Sequence, residues 1–304
     1  MKQTRLTWEY GLSTHIGSVK QCNEDNSFLK ILVDPLGNEF ILAIVADGMG
    51  GYQGGDVASK TVINAIDRWV VENHSFFLTS NQPFLFIAEA MERLLHETNQ
   101  KLINYGKQYG KKLGTTVSIL FLYKGRFLIV HVGDCRIYQL ERLGATTTEY
   151  TGKLLYDQDE TVNLEGELIL SQLTEDHTWI EMKVKQGVLS REEARNHPKR
   201  NILMQCIGIE NPITPFVKEG SYHANNLFIL CSDGFYELLL DRTILSLAML
   251  SEGSKQNLQL FSEQLVNIAN ESGATDNITV TLVKALPEEF ETSWKGRIVE
   301  LFKS

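Results

Sequence analysis

Six acidic residues sit where apolar runs begin or end. "AIVADGMGGYQGG" (43–55) leaves its apolar run at Asp47, "LIVHVGD" stops at Asp134 and "LFILCSDG" at Asp233. "NEDNSFLKIL" opens with Glu24 and Asp25, and "TDNITVTLV" carries Asp276 at its start. Each alone reads as turn chemistry, because Asp bonds its own backbone and Gly tolerates positive φ. As a set they mean more. If the strands stack in two facing sheets and the acids emerge at one rim, they repel one another unless positive charge lies among them. Arg136 is the one Lys or Arg beside these strand ends, so the compensating charge is expected to be a metal.

An all-oxygen set without His or Cys nearby selects hard cations, Mn²⁺ or Mg²⁺, over zinc or copper. Gly48 lets the backbone approach closely, which makes its carbonyl a candidate ligand while Asp47 bridges two ions. Two such ions hold a hydroxide, lower its pKa and aim it at phosphorus. Other uses of the glycines fail on spacing: neither 43–55 nor "YGKQYGKKLGTT" (105–116) contains G-x-x-x-x-G-K-[ST], and 43–55 has no G-x-G-x-x-G. A cysteine phosphatase loop needs Arg six residues after a cysteine. Those positions hold Phe28, Glu141, Pro212 and Glu237.

The elements that must carry these acids are legible as alternating apolar strands near 26–33, 38–46, 115–123, 126–132, 135–140, 167–173, 227–232 and 277–284. One helix from about 54 places Val57, Ala58, Val62, Ala65, Ile66 and Trp69 on one face. A second from Pro83 does so with Ile87, Met91, Leu94, Leu95 and Leu102, and a helical pair falls at 236–271. Strands in runs with helices grouped between them favour packed antiparallel sheets covered by helices over a βαβ alternation.

The 304 residues, 43% hydrophobic and 22% charged, suffice for a substantial core. A net charge of −9 argues against nucleic acid as a partner and draws in divalent cations. No apolar leader or membrane-length run is visible, and Cys22, Cys135, Cys206 and Cys231 are scattered, so a cytoplasmic chain with neither zinc site nor disulfide is expected. Two segments stand apart. Residues 141–167 carry seven acids against Arg142 and Lys153, a solvated hairpin insertion or a recognition arm. Residues 182–200 hold Lys183, Lys185, Arg191, Arg195, Lys199 and Arg200, a soluble helical face or a surface for phosphorylated substrate.

With these residues in place, the chain resembles the metal-dependent serine/threonine protein phosphatases of the PPM (type 2C) family, bacterial branch. "NED" (23–25), "VADGMGG" (45–51), "GTT" (114–116), "VGDCRIY" (132–138), "LTEDHT" (173–178), "HPKRN" (197–201), "CSDGF" (231–235) and "TDNITV" (275–280) run in family order across about residues 7–284. The resemblance implies an α+β fold, a four-layer αββα sandwich of two stacked antiparallel sheets flanked by helices. It implies a phosphatase domain over 1–284, with a flap at 178–205 and an amphipathic tail at 285–304.

By the same resemblance Asp47 bridges two ions, Asp233 and Asp276 complete the first site, and Glu24 with the Gly48 carbonyl serves the second. Asp25 holds water beside the ions, and Asp134 with Asp233 takes a third, weaker ion. The expected substrates are phosphorylated proteins, products of a serine/threonine kinase, turned over by a monomer. Two departures stand out. Lys20 occupies the place of an Arg that grips substrate phosphate, keeping the charge without the two-pronged geometry. Met49 stands where many eukaryotic members carry a proton-donating His, so a metal-bound water must supply that proton. A phosphatase dedicated to one signalling-switch protein, or a phosphoprotein-binding module with little turnover, remains open at this point. His131 and His177 read as structural hydrogen-bonding residues.

Overall fold

In a computed structural model the chain is described over residues 6–50, 54–142, 161–164, 168–195, 197–209, 211–254 and 256–287. The elements run β1 (Leu6–His15), β2 (Asn26–Val33), β3 (Glu39–Ala46), β4 (Gly48–Gly50), α1 (Gly54–Phe77), α2 (Pro83–Tyr109), β5 (Leu113–Thr115), β6 (Val117–Tyr123), β7 (Arg126–Val132) and β8 (Arg136–Arg142). There follow β9 (Thr161–Leu164), β10 (Leu168–Gln172), α3 (Trp179–Lys185), α4 (Arg191–Arg195), β11 (Phe216–Ser221), β12 (Leu227–Cys231), α5 (Asp233–Tyr236), α6 (Asp241–Ser254), α7 (Leu258–Glu271) and β13 (Ile278–Pro287).

Two antiparallel sheets form, in the orders β1-β13-β12-β8-β10-β9 and β11-β7-β6-β3-β2, with a small β4-β5 pair beside them. Strands β6 and β7 are apolar on both faces because both faces are covered. Leu120, Leu122 and Ile129 meet Ile137, Phe228 and Leu230 between the sheets. Ile119, Phe121 and Val130 face α1 and α2 on the other side. Helices α6 and α7 close the opposite layer on Ile229, Val280 and Leu282. This is the expected four-layer α+β sandwich.

Local chemistry sets the helix ends. Pro83 opens α2, where its missing amide costs nothing, and Gly110 closes it at φ 62° with its amide on the Gly106 carbonyl. The face of α1 is rotated from the expected one. Val57 is exposed, while Ser59, Ile63 and Val70 are buried with Ala58, Val62 and Ile66.

Strands at 26–33 and 126–132 appear with the expected bounds. Five strands were not read from the sequence: β1, β4, β5, β9 and β11. Strand β1 is half-exposed nearly throughout, so it lacks an apolar stripe. It is held by ten-residue pairing with β13 and by close approach to α7, where a Cβ at Gly11 would lie 2.2 Å from the Leu258 carbonyl oxygen. Most of the 141–167 insertion and of the 285–304 tail lies outside the described residues. Strand β13 runs on to Pro287.

Candidate metal centre

Asp47 follows β3 directly, and its backbone is fastened on both sides. Its amide donates to Thr116 Oγ1 at 3.0 Å, while its carbonyl accepts from Thr115 Oγ1 at 2.9 Å and the Thr116 amide at 2.8 Å. The "GTT" residues are therefore the anchor of Asp47. Gly48 allows the next step of chain to pass between two backbones: a Cβ there would lie 2.3 Å from the Gly55 carbonyl oxygen and 2.6 Å from that of Glu24.

Glu24 is buried against the start of α1. Its Oε1 accepts from the Gly55 amide at 2.9 Å, its own amide donates to Asn277 Oδ1 at 2.9 Å, and its carbonyl accepts from Ser59 Oγ at 2.8 Å. Asp25 is also buried; its Oδ2 accepts from Ser232 Oγ at 2.7 Å, and its Oδ1 has no partner among the described residues. Asp233 begins α5 with only Ser232 between it and β12, and among the described residues its Oδ1 is likewise buried without a partner. Asp276 accepts from the Asn277 amide at 2.7 Å and from Lys20 Nζ at 2.6 Å. Asp134, buried one residue before Cys135, offers its carbonyl to the Tyr236 hydroxyl at 3.0 Å.

The acids feel one another. Loss of water around Asp47, then the charges of Asp25, Asp233, Asp134 and Asp276, push its carboxyl well above the usual range. Burial raises Asp233 to about 7, with the charges of Asp276, Glu237 and Asp25 adding to it, while a hydrogen bond from Asp47 works the other way. Burial raises Asp25 to about 6 despite hydrogen bonds from Ser232 and Thr279. Asp134 is pushed well up by burial and by Asp233 and Asp176, against the pull of Arg136.

Lys20, which the resemblance singled out, stands among these acids, whereas the charge of Arg136, their neighbour in sequence, is largely engaged elsewhere. Arg136 turns away: its Nη2 lies 2.7 Å from Asp176 Oδ2, its Nη1 donates to the Tyr138 hydroxyl, and its guanidinium stacks 3.7 Å from the Tyr236 ring centroid. Lys20 arrives because the β1–β2 connection folds over the start of β13, where Ser18 donates its amide to the Ala274 carbonyl. A Cβ at Gly17, φ 80°, would lie 2.2 Å from the Asp276 carbonyl oxygen. Burial alone would lower the Lys20 pKa, but its hydrogen bond to Asp276 and the charges of Asp276, Asp47 and Glu24 raise it.

Among the described residues, no three acidic, His or Cys side chains stand at metal-ligating spacing about one point. Asp47 leans on Asp233, and Asp276 on Lys20. The donor set nonetheless fits a hard divalent cation. It is all oxygen, it contains two buried carboxylate oxygens that nothing among the described residues satisfies, and burial followed by mutual repulsion raises the carboxyls of Asp47 and Asp233.

The two histidines are structural. His131 is fully buried, with Nδ1 2.8 Å from Ser118 Oγ and Nε2 2.9 Å from the Gly133 carbonyl, and burial holds its pKa down to about 3. His177 Nδ1 accepts from the Gly133 amide at 3.2 Å. In the 178–205 stretch, Thr178 caps α3 by accepting from the Glu181 amide, and Lys183 and Lys199 sit 5.6 and 4.9 Å from the Trp179 ring centroid. The remaining signal that sequence reasoning missed is Asn277, whose side chain ties Glu24 to the carbonyls of Ile16 and Cys22.

The family model for protein phosphatase 2C matches residues 14–282. The serine/threonine phosphatase Stp of Listeria monocytogenes is 28% identical over 287 residues, covering 93% of this chain and 96% of the relative. The solved serine/threonine phosphatase of S. agalactiae superposes with a TM-score of 0.72 at 27% identity, covering 91% of this chain and 99% of that one. The same fold is seen in the catalytic domain of the protein phosphatase PstP, solved with two manganese ions, at a TM-score of 0.68 and 23% identity over 92% of this chain and 99% of that one. The chain belongs to the protein phosphatase 2C family, as one of its bacterial PPM serine/threonine phosphatases. That family is metal-dependent. Among the described residues, no helix is long and apolar enough to cross a membrane.

Proposed function

We propose that this chain hydrolyses phosphoserine and phosphothreonine in proteins phosphorylated by a serine/threonine kinase, at the rim that carries Asp47, Asp233 and Asp276. The observation that carries the reading is the pair of buried, unpartnered carboxylate oxygens, Asp25 Oδ1 and Asp233 Oδ1, within an all-oxygen acidic set. Asp47, Asp233 and Asp276 would hold one divalent ion, and Asp47, Glu24 and the Gly48 carbonyl a second. Asp134 with Asp233 is the candidate for a third. Mn²⁺ or Mg²⁺ bound there would supply Lewis acidity and an activated water for direct attack on phosphorus, without a phosphoenzyme.

The chain's own groups do the rest. Thr115 and Thr116 hold Asp47 still, so its carboxylate is placed before substrate arrives. Asp25, fixed through Ser232, orients water at the floor of the site. Lys20, half-exposed, leaves Asp276 for a phosphate oxygen when the substrate enters. Met49 has no proton to give, and the leaving alkoxide takes its proton from water at the open mouth.

Turnover of p-nitrophenyl phosphate with Mn²⁺ tests the proposal. It should vanish with chelator and with Asp233→Asn; turnover that survives both would overturn it.

A further inference from the structure

Among the described residues strand β11 is the outer strand of its sheet, paired with β7 alone. The Tyr222 amide donates to the Gly125 carbonyl at 2.9 Å, and this sets the alternation along the strand. Phe216, Lys218 and Gly220 exchange bonds with β7, while the amides and carbonyls of Val217 and Glu219 point outward. Among the described residues those four outward groups have no hydrogen bond. Ser221 is next in the outward series, and its carbonyl accepts from Gln139 Nε2 of the other sheet at 3.3 Å.

Beside this open edge lies a cleft of about 620 Å³ whose lining includes Glu141, Leu173, Glu181, Lys185, Phe216 and Lys218. Two ion pairs brace its walls, Lys185 with Glu175 and Arg191 with Glu181. Glu141 and Lys218 have no ion pair among the described residues. Unpaired backbone groups facing a polar cleft are a template for an extended chain.

Strand direction joins this cleft to the acidic rim. Phe216 begins β11 opposite His131. From His131 the chain continues to Asp134, about 10 Å if extended. A segment laid along β11 therefore points one end at the acids.

Resting on the phosphatase reading, we infer that β11 binds the phosphoprotein substrate by strand addition. Residues flanking the phosphorylated position pair with the backbone of Val217 and Glu219, and the phosphoresidue, a few positions onward, enters the rim. Such pairing reads backbone and leaves side-chain sequence largely free, with Glu141 and Lys218 offering opposite charges along the cleft.

The test uses the Mn²⁺-loaded full chain with three substrates: p-nitrophenyl phosphate, a phosphothreonine peptide of about five residues, and the same peptide lengthened to about thirteen by alternating Val and Thr. Lengthening should raise kcat/KM by about tenfold, equivalent to one extra 1.4 kcal/mol of binding. N-methylation of alternate amides in the extension should erase the gain. Val217→Pro should erase it too, since proline is tolerated on an edge strand where the amide faces outward, and p-nitrophenyl phosphate turnover should be unchanged. A gain that survives both changes, or no gain at all, overturns the inference. So does a dimer in sedimentation velocity that Val217→Pro dissolves, which would assign the edge to a second copy. Failure of the unmodified chain to turn over p-nitrophenyl phosphate would instead sink the phosphatase reading itself.

Discussion

Lys20 Nζ lies 2.6 Å from Asp276 Oδ1, joining a loop near one end of the chain to the start of its last strand. Both side chains are more than a third exposed, 38% and 41%, so the pair contributes little to stability, about 0–1 kcal/mol. On the proposed reading its consequence is functional: the ammonium is held at the rim where phosphate would bind. Lys20→Met should leave the thermal midpoint within about 3 °C and lower kcat/KM for p-nitrophenyl phosphate about tenfold or more. Lys20→Arg should retain or improve it. A large loss in the Arg variant would contradict the assigned role.

The raised carboxyls make the stability of the ion-free protein fall with pH. Asp25 at about 6 and Asp233 at about 7 lie above their unfolded values near 3.9, so between about pH 4 and 7 the folded state binds more protons than the unfolded one. That stabilisation is full below the unfolded value and is lost as pH rises through the folded values. In chelator, chemical denaturation should show about 1–3 kcal/mol more stability at pH 5 than at pH 7.5. Mn²⁺ should restore most of the difference at pH 7.5, and a flat profile would count against the acid cluster.

Asp233→Asn should separate stability from function. Removing one charge from the cluster relieves the repulsion between Asp233 and both Asp47 and Asp25, so in chelator the thermal midpoint is expected to rise by about 2–4 °C. The same change should weaken Mn²⁺ binding in calorimetry and abolish turnover.

Arg136 and Asp176 form a largely buried pair beside Asp134. Arg136→Met strands the Asp176 carboxylate and should cost about 3 kcal/mol. The double variant Arg136→Met/Asp176→Leu should recover much of that loss in urea unfolding. Equal stability of the single and double variants would show that the stranded charge is not the cause.

Gly48→Ala should be far more damaging than an exposed glycine substitution, because the new methyl would meet backbone of Gly55 and Glu24 rather than movable side chains. A loss of more than about 2 kcal/mol, together with loss of Mn²⁺-dependent turnover, is expected. Gly110→Ala offers the contrast. It carries only the cost of its φ of 62°, with nothing near its Cβ, and should keep turnover.

The amino-acid sequence by itself determined the apolar strands, the acids at their ends and the hard-cation chemistry these acids call for. Such properties belong to single residues and their near neighbours. Tertiary structure alone decided which distant residues meet. Pairing of half-exposed β1 with β13 brings the 16–25 loop onto Asp276, so family resemblance marked Lys20 while its ion pair with Asp276 was invisible without that register. The same holds for Arg136, whose charge is taken by Asp176 from a later loop, and for Asn277, which reaches back to Glu24. The rotation of α1 that exposes Val57 reflects the sheet it packs on, and the open edge of β11 follows from strand order. Residue type sets what a side chain is able to do; pairing across long stretches of chain sets what it touches.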